Sequence, residues 1–386
     1  MRILINTIST KKYSGGAFQI SSNFMLKSLE HHDVEWYYVA SEDIDDAIGD
    51  RFQALRGSQY FVFPTQPDYI HTYWRVKKAL AELEERINPN VIYSITAPSY
   101  FSFKHTEVMR FTNPLVTHPN RYSWSMLPFL NKMKTKLYCL NQIRMMKKAR
   151  YFITQTETTK QGILRITGLP KENVMVVNNV LPAVFNGMDN SPIKDGNGID
   201  VACVGNPVPH KNFDIVPDVA AELKRIGVDG VRFHLTIPNG HVMEKVIRNK
   251  AIKYGVEDSI VNHGRMTQKE LAQMYRRCQL CFLPTLLEVF SASTVEAMYF
   301  NLPTVATDFS FNTEVFADSC LYYKPTDSKD AANQFSRLIA EPELQKSLQS
   351  KMKERLILFG NYDDHFNAIK SFLIHVGEDY ANINNI

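Results

Sequence analysis

The 386-residue chain is too long for one ordinary hydrophobic core and fits two domains of common size. Its 44% hydrophobic and 22% charged content is globular rather than disordered, and a net charge of +4 carries no nucleic-acid footprint. Five scattered cysteines (Cys139, Cys203, Cys278, Cys281 and Cys320) lack framework spacing and fit a reducing compartment better than a disulfide-stapled domain. The opening Arg2-Ile3-Leu4-Ile5-Asn6 is too short and polar for a signal peptide, and no apolar run approaches the roughly 20 residues of a membrane helix. The expectation is a cytoplasmic protein whose membrane contact, if it has one, is peripheral.

In chain order, Arg2–Asn6 predicts a buried strand, Thr7–Gly16 a glycine-bearing loop and Ala17–Leu29 a helix. Short apolar strands follow near Val34–Val39, Tyr60–Phe63, Val91–Ser94, Leu115–Thr117, Phe152–Thr154 and Val174–Val177, with helices over Tyr69–Arg86 and Asn131–Lys148. The turn-rich run Asn186–Gly198 lacks periodicity and reads as the link between domains. A second alternation places strands at Asp200–Val204, Val231–Ile237, Ser259–Asn262, Leu280–Leu283, Thr304–Ala306 and Cys320–Tyr323, and helices at His241–Tyr254 and Lys269–Arg276. A final helix near Asp364–Tyr380 carries Phe366, Ile369, Leu373 and Val376 on one side. Strands alternating with helices predict an α/β protein of two doubly wound, Rossmann-like domains, residues 1–183 and 199–363, joined by a linker over 184–198.

The segment Pro284-Thr-Leu-Leu-Glu288-Val-Phe-Ser-Ala-Ser-Thr-Val-Glu296-Ala-Met298 places one carboxylate just past a strand and a second in the first turn of the next helix. Such loops lie at the carboxyl edge of a parallel sheet, where ligands bind. Unpaired N–H groups of Phe290, Ser291 and Ala292 at the helix start would attract a phosphate, and ionised carboxylates accept strong bonds from vicinal hydroxyls. The competing structural account makes Ser293 and Glu296 a capping box and Glu288 an exposed loop acid.

The stretch from Leu271 to Asp327, with Tyr275, Leu280–Thr285, Glu288, Glu296-Ala-Met298, Asn301–Ala306, Thr313-Glu314-Val315 and Lys324-Pro-Thr-Asp327, resembles the retaining glycosyltransferases of family four, which have the GT-B fold. The resemblance implies two domains facing across a cleft, with the last helix crossing back to the first domain. It also implies that Glu288 meets donor-sugar hydroxyls and Glu296 the nucleotide ribose. The family has small glycines between the two acids, where this chain has Phe290-Ser-Ala-Ser293.

Val204-Gly205-Asn206-Pro-Val-Pro-His210-Lys211-Asn212 resembles the family's other donor loop, with Lys211 at the family lysine, Gly205 kept, and Asn206 in place of an arginine. A fixed cation there would stabilise the charge on a departing nucleoside diphosphate. Arg265 is a candidate substitute for the missing arginine. By the same resemblance, Gly15 and Gly16 lie beside donor phosphates or the acceptor, and His118 lies near the transferred sugar as a catalytic candidate with Glu288 and Lys211.

Several other signals are discounted. Glu42-Asp43-Ile44-Asp45-Asp46 contains the metal-binding Asp-x-Asp of another glycosyltransferase fold, but acids opening a helix are expected from its dipole. Cys278-Gln-Leu-Cys281 lacks a second pair for zinc. No metal or other cofactor is expected. The acid-free region 108–156 bears Lys132, Lys134, Lys136, Arg144, Lys147, Lys148 and Arg150, so the stretch 132–150 is a candidate for contact with an anionic membrane surface.

The resulting expectation is a retaining, metal-independent transferase. It would move a sugar from a UDP- or GDP-sugar donor to a glycan or lipid-linked glycan acceptor in bacterial surface-polysaccharide synthesis. The rivals are a nucleotide-sugar epimerase of the same fold and a two-lobed binding protein, whereas a dehydrogenase would need a Gly-x-Gly-x-x-Gly turn that neither Gly15-Gly16 nor Gly205 supplies.

Overall fold

A computed structural model describes residues 1–12, 16–64, 72–193 and 198–384. The chain forms two compact units, one of residues 1–118, 133–177 and 363–386, the other of residues 119–132 and 178–362. The first holds a seven-stranded sheet built from β1 (Arg2–Asn6), β2 (Glu35–Ser41), β3 (Tyr60–Phe63), β4 (Val91–Ser94), β5 (Glu107–Arg110), β6 (Tyr151–Thr154) and β7 (Val174–Val176). The second holds β8 (Ile199–Cys203), β9 (Val231–Leu235), β10 (Ile260–Asn262), β11 (Leu280–Leu283), β12 (Thr304–Thr307) and β13 (Leu321–Tyr323). Neighbouring strands pair in parallel in both sheets. Strands such as β4 and β11 are buried at every position, which is why they read as unbroken apolar runs rather than alternating ones.

The strand orders are β3-β2-β1-β4-β5-β6-β7 and β10-β9-β8-β11-β12-β13. In each unit the chain winds outward in one direction, then returns beside its first strand to wind the other way. The reversals fall between β1 and β4 and between β8 and β11. The loops leaving adjacent strands part to opposite faces there, and the crevice they leave at the carboxyl ends is the ligand site of such sheets.

Packing follows from the apolar faces. The last helix (Tyr362–Asn384) buries Phe366, Ile369, Leu373 and Val376 in the core of the first unit, with Phe366 stacked on His31 and against Phe24. The helix Glu157–Thr167 lies so close to the chain at Thr117 that a Cβ at Gly162 would overlap the Thr117 carbonyl, which also accepts a 2.6 Å bond from Arg165.

Three expectations require correction. Leu115–Thr117 is no strand but the end of a short helix, Pro114–Thr117, because Asn113 caps Leu115 N–H and Pro114 supplies the preset first turn. The strand it stood for is β5, eight residues earlier in its start and hidden by a glutamate and an arginine at its ends. The segment expected to link the domains is fastened to the second unit instead. Phe185 packs edge-on to Phe300, Tyr299 donates to the Met188 carbonyl, and Arg276 holds Asp189 and the Ser191 carbonyl. Turn-rich composition signals irregular backbone, not absence of contact. The unit boundary accordingly falls at Val177, not at residue 183, and residues 119–132 join the second unit.

Glu107, at the start of β5, accepts from Ser94, which itself accepts a 3.0 Å bond from Asn6. Burial pushes its carboxyl up to about 7, against the Ser94 bond that lowers it. A group whose folded value is raised holds its proton in the native state after the unfolded chain has lost it. Stability therefore falls as pH rises from the ordinary glutamate range to about 7 and then levels. Glu107→Gln should flatten that slope, so that its melting temperature gains on the parent's between pH 5 and pH 8 in paired calorimetric scans. Parallel curves would exclude Glu107 as the source.

Candidate active site

The site begins where β8 and β11 lie side by side. The loop after β8 must turn sharply, and Gly205 allows it: a Cβ there would press to 3.2 Å from the Phe213 ring, with the Lys211 stem 3.7 Å away. A single 3-10 turn, Pro209–Lys211, then delivers Lys211 to the carboxyl end of the sheet. The loop after β11 delivers Glu288 to the same place. The loops are stitched by Leu286 N–H donating to the His210 carbonyl at 2.7 Å and by Ser293 Oγ donating to the Val204 carbonyl at 3.1 Å.

Lys211 Nζ donates to Glu288 Oε2 at 2.7 Å and to Ser291 Oγ at 3.1 Å, from side chains 11% and 23% exposed for the ion pair. Burial alone would push the Glu288 carboxyl up. The Lys211 charge and hydrogen bond, His210 beside it and the Val289 N–H outweigh burial and hold it below the usual carboxylate range. The adjacent His210 is pushed down, chiefly by burial.

Glu296 lies deeper. The helix Ala292–Tyr299 starts after Ser291, so Glu296 is its fifth residue, past the first turn where the sequence had put it. Its Oε2 accepts a 2.8 Å bond from Tyr275 OH, and Tyr275, wholly buried, stacks on Phe300 with ring centroids 5.1 Å apart. Burial raises the Glu296 carboxyl, opposed by the Tyr275 bond and the Lys211 charge. The capping-box account fails on these contacts: Ser293 bonds Val204 and Glu296 bonds Tyr275, and no side chain caps the helix start. The helix start thus lacks a side-chain cap, the local condition for receiving an anion.

The residues standing where glycines were expected have definite tasks. Phe290 turns its ring into the core against Phe359, while its carbonyl accepts from Asn179. Ser291 meets Lys211, and Ser293 ties the two loops. Asn206 is exposed, with its carbonyl accepting from Val208 N–H at 2.8 Å. Arg265 is also exposed, in the loop after β10, and β9 separates that strand from β8.

Three of the expected residues, Gly15, Gly16 and His118, belong to the first unit. His118 ends the short helix after β5, half-buried, with Nδ1 2.9 Å from Thr117 Oγ1. Its backbone is pinned one residue back by Gly162 and Arg165, positioning residues that sequence reading missed. Gly16 opens the helix Gly16–Ser28 with open space around it, while Gly15 lies outside the described residues.

The discounted signals also find places. Asp45 bonds Arg56 and Tyr60, Asp43 accepts from Lys12 N–H, and Ser41 caps that acidic helix. Cys278 and Cys281 are buried free thiols, with Cys281 pushed up to about 12 by burial.

Residues 188–355 match the family described as glycosyl transferases group 1. The second unit carries a group 1 glycosyl transferase domain. Among related proteins, the O-antigen chain mannosyltransferase RfbU of Salmonella typhimurium is 20% identical over 68% of this chain and 67% of its own. The serotype-specific mannosyltransferase WbdA of Escherichia coli is 20% identical over 82% of this chain, which spans only 42% of that longer protein. In fold, the Anabaena protein Alr3699/HepE, crystallised with UDP, superposes with a TM-score of 0.71 over 97% of this chain and 99% of its own, at 14% identity. The protein is thus a glycosyltransferase enzyme with two Rossmann-like units of the GT-B type. The glycosyltransferase domain contains Lys211, Gly205, Asn206, Arg265, Glu288, Ser291 and Glu296.

In that domain, removing one member of the ion pair should cost more than removing both. Lys211→Met strands a buried carboxylate and should lower unfolding stability by about 3 kcal/mol. The Lys211→Met, Glu288→Leu double variant should recover most of that loss in urea unfolding. Additive single losses would show that the pair is not coupled.

Proposed function

We propose that this glycosyltransferase moves a sugar, with retention and without a metal ion, from a UDP- or GDP-sugar to a glycan or lipid-linked glycan acceptor in O-antigen or related surface-polysaccharide synthesis. The names of RfbU and WbdA favour mannose as the sugar. The observation that carries the reading is the Lys211–Glu288 pair at the β8/β11 reversal, next to an uncapped helix start. Glu288, ionised through neutral pH, accepts bonds from the donor sugar's hydroxyls. Lys211 turns to the diphosphate as negative charge grows on it, joined by the amides of Ser291 and Ala292. Glu296 takes the ribose hydroxyls, held in place by Tyr275.

The transition state on this reading is oxocarbenium-like, so charge stabilisation of the leaving diphosphate and placement of the acceptor matter more than a single base. The acceptor proton leaves toward a departing phosphate oxygen, and His118 keeps the catalytic candidacy that the family resemblance implies. An acceptor carried on a lipid would set the reaction at a membrane face.

Thermal-shift measurement with UDP, GDP and their sugars, with and without EDTA, tests the assignment. One nucleotide series should stabilise the protein equally in both conditions, and Glu288→Ala should keep nucleotide stabilisation while losing transfer by about 10²–10³-fold. A strict divalent requirement would overturn the metal-free mechanism, and silence across the panel would overturn the donor assignment. Product NMR showing inversion at the anomeric carbon would overturn retention.

Tyr275→Phe should weaken nucleotide binding roughly tenfold. Loss of the Tyr275 bond lets the Glu296 carboxyl rise further, so the acid limb of nucleotide affinity should move to higher pH. A weaker but unshifted profile would make Tyr275 merely structural.

A further inference from the structure

We propose that the outward face of the helix Phe129–Met146 docks on an anionic lipid surface. The helix buries only Cys139, Gln142 and Met146, which share one side. At about 100° per residue, Phe129, Leu130, Met133, Leu137 and Leu140 fall within one arc on the side away from them. All five are exposed, from 47% at Met133 to 75% at Phe129. Tyr138, 50% exposed, lies further round and approaches Tyr100, with centroids 6.2 Å apart. Single exposed apolar residues are ordinary on soluble proteins, but a continuous stripe of five large ones marks an interaction face.

The charges around the stripe choose the partner. Lys132 and Lys136 lie along one edge, Lys134 along the other, and Arg144 one turn past Leu140; Lys147, Lys148 and Arg150 follow the helix. No aspartate or glutamate occurs from residue 108 to residue 156. A second copy of the chain meeting this face through the same patch would set lysines against lysines. A bilayer with acidic headgroups accepts both components: the apolar stripe enters the headgroup–acyl boundary while the lysines reach the surface charge. A helix lying in that plane needs neither the length nor the overall hydrophobicity of a spanning one, and none of the described helices is long and apolar enough to span. The docking face shares no residue with the Lys211–Glu288 site and does not depend on the identity of the donor.

The full chain should cosediment with phosphatidylcholine–phosphatidylglycerol vesicles at low salt, and binding should fall at least tenfold with phosphatidylcholine alone or in high salt. Leu137→Glu with Leu140→Glu, and separately Lys134→Glu with Lys136→Glu, should each weaken vesicle binding at least tenfold while leaving nucleotide thermal shifts at the parent's values. Absence of binding to the anionic vesicles would overturn the proposal, as would equal binding to neutral ones. So would a dimer in light scattering that the leucine variants dissociate, because the face would then belong to a second copy. Loss of nucleotide stabilisation in the parent would instead count against the donor reading alone.

Discussion

The carboxyl edge of the second sheet depends on keeping one carboxylate and one ammonium together beneath the surface. Either group alone would be costly there, yet Lys211 and Glu288, 77 positions apart in the chain, meet at 2.7 Å. Only the sheet makes this possible. The chain leaves β8 toward β9 and β10, then returns to place β11 beside β8, so the loops of two strands distant in sequence become neighbours. The backbone bond from Leu286 to His210 and the Ser293 bond to Val204 fix the spacing before either charge contributes.

The charges at this site therefore satisfy one another. Lysine, glutamate and Ser291 occupy one another, and the pair keeps Glu288 ionised despite burial. Behind it, Tyr275 and Phe300 form a rigid aromatic backing for Glu296, so one acid is held by a charge and the other by a neutral hydroxyl. Those different supports push the two carboxyls in opposite directions, Glu288 down and Glu296 up. Two acids eight residues apart are thus not chemically equivalent.

Much of this was legible in the residues, and the limits have physical causes. Short apolar runs gave the strands around both reversals, and one-sided periodicity gave the final helix with Phe366, Ile369, Leu373 and Val376 inward. Leu115–Thr117 was misread because branched residues favour strands, whereas the Asn113-Pro114 start governs the local backbone. Ser293 and Glu296 satisfy the spacing of a capping box, but tertiary partners at Val204 and Tyr275 take both side chains. Gly162 and Arg165 carried no motif; their part in fixing the backbone before His118 exists only once a helix packs against that loop. The basic character of 132–150 was plain in the sequence. Its apolar stripe was not, because the three buried residues that orient the helix are too few to impose an amphipathic pattern.

The anchored strap ahead of β8 has an engineering meaning. A chimera that borrows the second unit and joins it at residue 198 would omit Phe185, opening a void beside Phe300, and would strip Arg276 of its bonds to Asp189 and Ser191. A graft that keeps the chain from Asn178 onward carries its own lining with it, and would also need residues 119–132 supplied, since Asn120 donates to the Leu286 carbonyl in the loop that bears Glu288.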